Sequence, residues 1–357
     1  MARPKMSSDE WAVRAQAKVG AALSVLAEEV SSLRSGEDWQ RFLCFQARLH
    51  AYSPNNVLLI YAQHAHAFAQ GRIATPEPTY VAGFHTWKAL GRSVERGQHG
   101  YAILAPVTAN RRVAIDQDGR TRPLGPAETA GSDEREERRA ALRGFKVSHV
   151  LDVDQTQGAP VPEPRRPALL TGEAPEGLGA AVMALIEERG FAVATVADAG
   201  ALGGANGRTD FTERTVVVRC DVDDAAMVKT LLHEAGHVLL HAEAPGRGLP
   251  RRVQEVEAES VAYVVAAAHG METGSYSFPY VATWAGEDHA DVVAATQRRV
   301  AGTARVLIAA SPAPHLEGGR VPGAEAALRA QSETRIAKSA GVEMASPGAA
   351  PSLAPGL

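Results

Sequence analysis

The chain has 357 residues, 45% of them hydrophobic and 22% charged, with a formal net charge of −4. This is ordinary for a soluble globular chain, leaves room for two or three domains, and excludes a polycation, so any nucleic-acid contact must come from a local basic surface. Two cysteines, Cys44 and Cys220, stand far apart and in no CxxC pair, which argues against a disulfide framework and a thiolate zinc site and fits a reducing, cytoplasmic setting.

The opening MARPKMSSDEW has no apolar core, so a signal peptide is not expected, and no run of about 18 apolar residues predicts a membrane span. Residues 1–35 read as a helix, with Val19, Ala22, Leu23, Leu26 and Val30 at helical spacing. Residues 36–158 read as a mixed α/β domain. Within it, DWQRFLCFQARLH and NNVLLIYAQ look helical, with Asn55 and Asn56 read as caps in preference to base contacts, and YAILAPV and GFKVSHVLDVDQT look like strands. Between those strands, residues 108–143 are turn-rich and then densely charged, which predicts a mobile loop insertion. A proline-rich linker is expected over 159–177 and a second domain over 178–310. Residues 311–357, rich in Pro, Gly, Ala and Ser, are expected to be mostly disordered apart from a short helix near 323–340. The fold class expected is α+β.

The second domain holds LLHEAGHVLLH, residues 231–241. HExxH on a helix puts His233 and His237 one turn apart on one face, where both can reach a Zn²⁺ ion, with Glu234 between them placed to act as general base. The competing reading is a core helix with hydrogen-bonded histidines. A helical rise of about 1.5 Å per residue sets His241 about 12 Å from His233, too far for both to bind one ion directly. His241 is therefore expected at the helix end or surface. The third ligand should come from RRVQEVEAESVAYVVAAAHG, residues 251–270. At 100° per residue Glu255 and Glu259 share a face and Glu257 points nearly opposite. Glu255 is the expected ligand and Glu259 the carboxylate that orients an imidazole; Glu257 or Glu259 as ligand remain alternatives, and Glu257 otherwise reads as a solvated residue. Ala262 and Ala266 would let the two helices approach. Upstream, TVVVR reads as a strand that either receives an extended peptide substrate or is an ordinary hairpin strand. Tyr263, Tyr276, Tyr280 and His289 are candidates for stabilising an oxyanion, each also readable as structural.

With TVVVR, TLLHEAGHVLLH and EVEAESVAYVV in this order, residues 178–290 resemble a zinc-dependent ImmA/IrrE-type metallopeptidase domain. The resemblance implies a mostly helical, zincin-like domain with a small sheet. It also implies a glutamate third ligand in a pattern like ExxANxxA, which Glu255-Val-Glu-Ala258-Glu259-Ser-Val-Ala262 approaches. In the N-terminal half, YVAGFHTWKALGRSVERGQHGYAILAPV mixes aromatics with Lys88, Arg92 and Arg96. Aromatics can stack on unpaired bases while cations meet phosphates, although aromatics are more often core. Together with AYSPNNVLLIYAQ and FKVSHVLDVDQTQG, this stretch resembles the N-terminal domain of ArdC-type antirestriction proteins. That resemblance implies single-stranded DNA as a partner, with Trp87, Lys88, Arg92 and Arg96 as the residues to test.

The leading expectation is a zinc metallopeptidase-like protein that also binds single-stranded DNA and cleaves an unknown protein or peptide, with no membrane partner. The alternative is an antirestriction or DNA-protecting protein whose zinc domain is not catalytic. A third reading is an interaction module with no DNA role, which predicts no salt-dependent binding of oligonucleotides.

Overall fold

Short polar side chains cap some of the helices in the computed structural model, which describes residues 8–125, 128–162, 172–271, 273 and 289–343. Helix α1 (Ser8–Ser32) buries Ala22, Leu26 and Val30 along one stripe. Helix α2 (Gly36–Arg48) opens with a reciprocal cap: Ser35 Oγ accepts from the Asp38 amide and Asp38 accepts from the Ser35 amide, both at 3.0 Å. Helix α3 (Pro54–Ala69) is capped by Ser53, with Pro54 in the first turn.

Asn56 is therefore not a cap. Its side-chain amide accepts from Leu104 N at 2.9 Å and donates to Leu104 O at 3.1 Å, and Gln63 does the same to Ala102 N and O. These two amides stand in for a neighbouring strand along the first residues of strand β3 (Tyr101–Ile115), fastening α3 to it. Strands β1 (Val81–Gly83), β4 (Thr121–Pro123) and β5 (Arg135–Asp152) complete an antiparallel sheet of order β1-β5-β3-β4. Between β1 and β3 lie α4 (Phe84–Ala89) and β2 (Arg92–Val94), which pairs with β6 (Thr156–Gly158).

The charged insertion is not a loop. Residues 108–115 and 135–142 pair without interruption as the outer half of a long β3–β5 ribbon, offset from its base by a bulge at Val107/Thr108. The turn-forming DQDGR becomes a tight reversal, with Asp116 N donating to Arg120 O, so that β4 folds back on β3. Ala114, Ile115 and Leu124 are buried beneath it. Opposite charges bridge the strands, with Arg112 on Glu136 at 2.6 Å and Arg122 on Glu134 at 2.6 Å. Charged residues on both faces hide the period-two pattern that marks a strand with one buried side.

The second half is mostly helical with a small sheet. It comprises α5 (Leu178–Glu188), strands β7 (Ala192–Val196), β8 (Gly207–Asp210) and β9 (Thr215–Arg219), then α6 (Asp224–His241), α7 (Arg251–Ala268) and α8 (His289–Ala310). The sheet order is β7-β9-β8, with β7 parallel and β8 antiparallel to β9. TVVVR is thus the central strand, both edges already paired, and cannot receive a substrate; among the described residues no strand pairs with the outer edge of β8, beside α6.

One apolar core runs through both halves rather than two cores joined by a linker. It takes in Phe42, Leu59 and Ile60 from the N-terminal helices and Leu232, Val261 and Val300 from α6, α7 and α8. The Trp39 indole N–H donates to Ser260 Oγ at 2.9 Å across the junction. Of the expected linker, residues 163–171 lie outside the described residues. Residues 311–323 are not disordered, because they have backbone partners on both halves. Leu316 N donates to Ala268 O, Val81 N donates to Gly319 O, and Tyr80 donates to Glu317 at 2.7 Å. Helix α9 (Ala324–Glu343) follows, and residues 344–357 lie outside the described residues. The architecture is α+β. Among the described residues no helix is long and apolar enough to cross a membrane.

Candidate metal centre

Helix α6 is capped by Asp223, whose side chain accepts from Ala226 N at 2.7 Å, and its apolar residues Leu231, Leu232, Ala235 and Val238 are buried. The helix lies tightly against α7: a Cβ added at Gly236 would stand 2.9 Å from Ala258 Cα. Gly236 and Ala258 make this close approach, which brings the Glu255 end of α7 up to the histidines, and Ala262 and Ala266 are fully buried further along α7.

His233 Nε2 and His237 Nε2 are 3.1 Å apart, and Glu255 Oε2 is 3.5 Å from each. Ligand atoms bound tetrahedrally at about 2.0–2.1 Å stand about 3.3 Å from one another, so this triangle has the dimensions of three corners of such a shell. His233, His237 and Glu255 are the one such group of donors among the described residues. The local field favours a cation. Burial opposes a charge on His233, but hydrogen bonds with Glu255 and Glu259 and the neighbouring Glu234 carboxylate outweigh it and push the imidazole up to about 10. The contacts with His233 and then His237 hold the Glu255 carboxyl well below the usual carboxylate range.

Glu259, one turn beyond Glu255, is 2.9 Å from His233 Nδ1, on the ring's far side from the triangle. Glu234 is buried and outside the donor group; its Oε2 accepts from Thr209 Oγ1 of β8 at 2.6 Å. Strand β8 lies so close to α6 that a Cβ at Gly207 would come within 2.7 Å of Glu234 Oε1.

His241 is the helix end that was expected, closing α6, but it is not at the surface, and Glu257 is not solvated: both are fully buried and 3.1 Å apart. Glu257 also accepts from Arg299 of α8, from Nε at 2.7 Å and from Nη2, which neutralises a charge that could not otherwise stay inside. His241 Nδ1 is 3.1 Å from His237 Nδ1. Sequence reasoning missed this chain because its cation comes from a helix 42 residues further on. Of the oxyanion candidates, Tyr263 is largely buried, whereas Tyr276, Tyr280 and the His289 side chain lie outside the described residues.

The four residues singled out for DNA divide sharply. Trp87 is fully buried, its indole N–H donating to Leu151 O at 3.0 Å, so no face is free for a base. Arg92 is committed to Thr156 and Ala159, whose carbonyls and hydroxyl it binds at 2.5–2.8 Å. Lys88 and Arg96 are exposed. The richer basic surface lies on the β3–β5 ribbon, where Arg111, Arg138, Arg139, Arg143 and Lys146 are all exposed beside exposed Leu142 and Phe145. Arg111 stands directly opposite Arg139, and Arg112 opposite Arg138.

The chain is 24% identical over 280 residues to an uncharacterized protein of Bacillus anthracis. That alignment covers 73% of this chain and 45% of the relative, so the chain spans less than half the relative's length. The metal-free crystal structure of the antirestriction ArdC protein from plasmid R388 aligns over 72% of this chain and 85% of its own, with 19% identity and a TM-score of 0.43. The Mn(II)-bound crystal structure of the same protein aligns over 76% and 97%, with 18% identity and a TM-score of 0.41. Residues 24–148, from within α1 to the base of β5, match the family model of the N-terminal domain of anti-restriction factor ArdC.

Proposed function

We propose that the chain is a DNA-associated, antirestriction-type protein carrying a zinc centre able to hydrolyse peptide bonds. The match of residues 24–148 supports the first part, and the donor triangle of His233, His237 and Glu255 carries the second. Zinc held there supplies Lewis acidity to a scissile carbonyl and to water. Glu234 takes the proton from the attacking water and returns it to the leaving amine, with the Thr209 hydroxyl fixing its carboxylate. The outer edge of β8, which carries Thr209, is where an extended peptide can add by backbone pairing. The test is metal analysis with cleavage profiling of wild type and Glu234→Gln. Stoichiometric zinc in both, with cleavage only in wild type, is expected; cleavage that survives the substitution refutes the catalytic role.

On the DNA side, the ribbon is the surface of choice. Arg139, opposite Arg111, is paired with Glu137 at 3.1 Å and Arg112 with Glu136, so the support for this surface is the number of exposed cations along it together with exposed Phe145, which offers a face for an unpaired base. Arg111→Ala with Arg139→Ala should weaken binding of a single-stranded oligonucleotide and flatten its salt dependence by about 0.7 per lost phosphate contact. An unchanged slope refutes the assignment.

A second reading is favoured by one observation: the family match covers the N-terminal part and stops before the metal site. In that reading the chain blocks restriction through DNA contact and the metal is not catalytic. Protection of DNA that persists in Glu234→Gln but is lost in the ribbon variants selects it.

A further inference from the structure

Resting on the reading of His233, His237 and Glu255 as a metal centre, we propose that His241, Glu257 and Arg299 form a buried relay that fixes the tautomer and ring orientation of His237 for the metal. His237 Nε2 is the corner of the donor triangle, so as a ligand it has no proton there and must carry it on Nδ1. That Nδ1 faces His241 Nδ1 at 3.1 Å, which must then be bare and accept. His241 Nε2 therefore carries the proton and donates to Glu257 Oε2 at 3.1 Å. Glu257 Oε1 takes its hydrogen bonds from Arg299, which also lies 3.3 Å from Thr296 Oγ1. With His237 Nε2 left bare for a cation, this assignment of protons satisfies every link of the chain.

The two imidazoles are thus supported unequally. Glu259, partly exposed, meets His233 directly. His237 is reached through the His241 imidazole, backed by the Glu257–Arg299 ion pair, all three from different helices: α6, α7 and α8. Partners of this kind typically govern metal affinity by 10–100-fold. The relay also explains why His241 and Glu257 are kept fully buried behind the ring of His237, where polar groups without such a task would be costly to hold.

The test uses the full chain with ¹⁵N-labelled histidine and zinc added against a competing chelator. In the zinc-bound protein, nitrogen–proton correlation spectra should show His241 protonated on Nε2 and bare on Nδ1. His241→Leu should lower zinc affinity about 10–100-fold with an unchanged metal-free circular dichroism spectrum. His241→Asn, whose side-chain oxygen falls where Nδ1 does, should recover most of the loss. If wild type binds no zinc, the metal centre itself is refuted. If wild type binds zinc but His241 carries its proton on Nδ1, or both variants bind like wild type, the relay alone is refuted. The spectra of wild type decide the matter even if His241→Leu fails to fold.

Discussion

Replacing Gly236 with alanine tests how the site is assembled. In an unobstructed helix this change stabilises by about 1 kcal/mol, because alanine is the better helix former. At Gly236 the new Cβ would stand 2.9 Å from Ala258 Cα, 3.2 Å from its carbonyl oxygen and 3.3 Å from its Cβ. The obstacle is mostly backbone, so α6 and α7 must part by a few tenths of an ångström, and overpacking of this kind costs about 1–3 kcal/mol. The net expectation is a loss of about 1 kcal/mol, on the order of 2 °C in melting temperature. The parting also draws Glu255 away from His233 and His237, where ligand distances tolerate only about 0.2 Å, so zinc should raise the melting temperature less than in wild type. Gly302→Ala in α8 is the control: nothing lies within 4 Å of its added Cβ, and it should stabilise. Thermal unfolding with chelator and with zinc reads both effects. A Gly236→Ala protein that melts higher, as Gly302→Ala should, would refute the close-packing argument.

Asn56→Leu should cost about 2 kcal/mol or more in urea unfolding, since it leaves both the amide and the carbonyl of Leu104 without their partner. Arg299→Met should cost about 3–5 kcal/mol by stranding the buried Glu257 carboxylate, and Arg299→Met with Glu257→Met should recover much of that loss. Burial lifts the Asp152 carboxyl to about 7, although the amides of Asp154 and Thr79 pull the other way. The folded protein thus holds a proton that the unfolded chain releases near pH 4, so this group's contribution to stability falls as pH rises from about 4 to about 7. Asp152→Asn should remove that part of the slope, by up to about 1.4 kcal/mol per pH unit, in urea midpoints compared across the window.

The donor triangle was legible because its pieces follow the helix period. Spacing of four places His233 and His237 on one face, and the same arithmetic pairs Glu255 with Glu259. What period cannot show is the charge a third helix brings. Glu257 reads as a solvated residue until Arg299 arrives from α8, and His241, the helix end it was read as, gives no sign of its burial until Glu257 is known to be inside. At Trp87 the core reading that composition favours holds, and the DNA role suggested by the resemblance does not. Composition misled over residues 108–143, where a ribbon exposed on both faces gives no alternation of apolar and polar residues to read. The expected disorder of residues 311–323 failed because prolines and glycines serve equally well in a chain segment pinned between two surfaces.

The ribbon has one more consequence. Only Val150, Leu151 and Asp152 of β5 meet β1, so the outer backbone of the strand from Arg135 to His149 hydrogen-bonds to no other strand among the described residues. Such an edge is a template for a second copy of the same strand, and crowding it with arginine, lysine and glutamate is how such pairing is discouraged. The charge that made this segment look like a loop is then also what keeps the protein from sticking to itself. Exchanging Arg138, Arg143 and Lys146 for threonine should turn the ribbon into a seed for sheet-like self-association, visible as a rise in sedimentation coefficient with concentration.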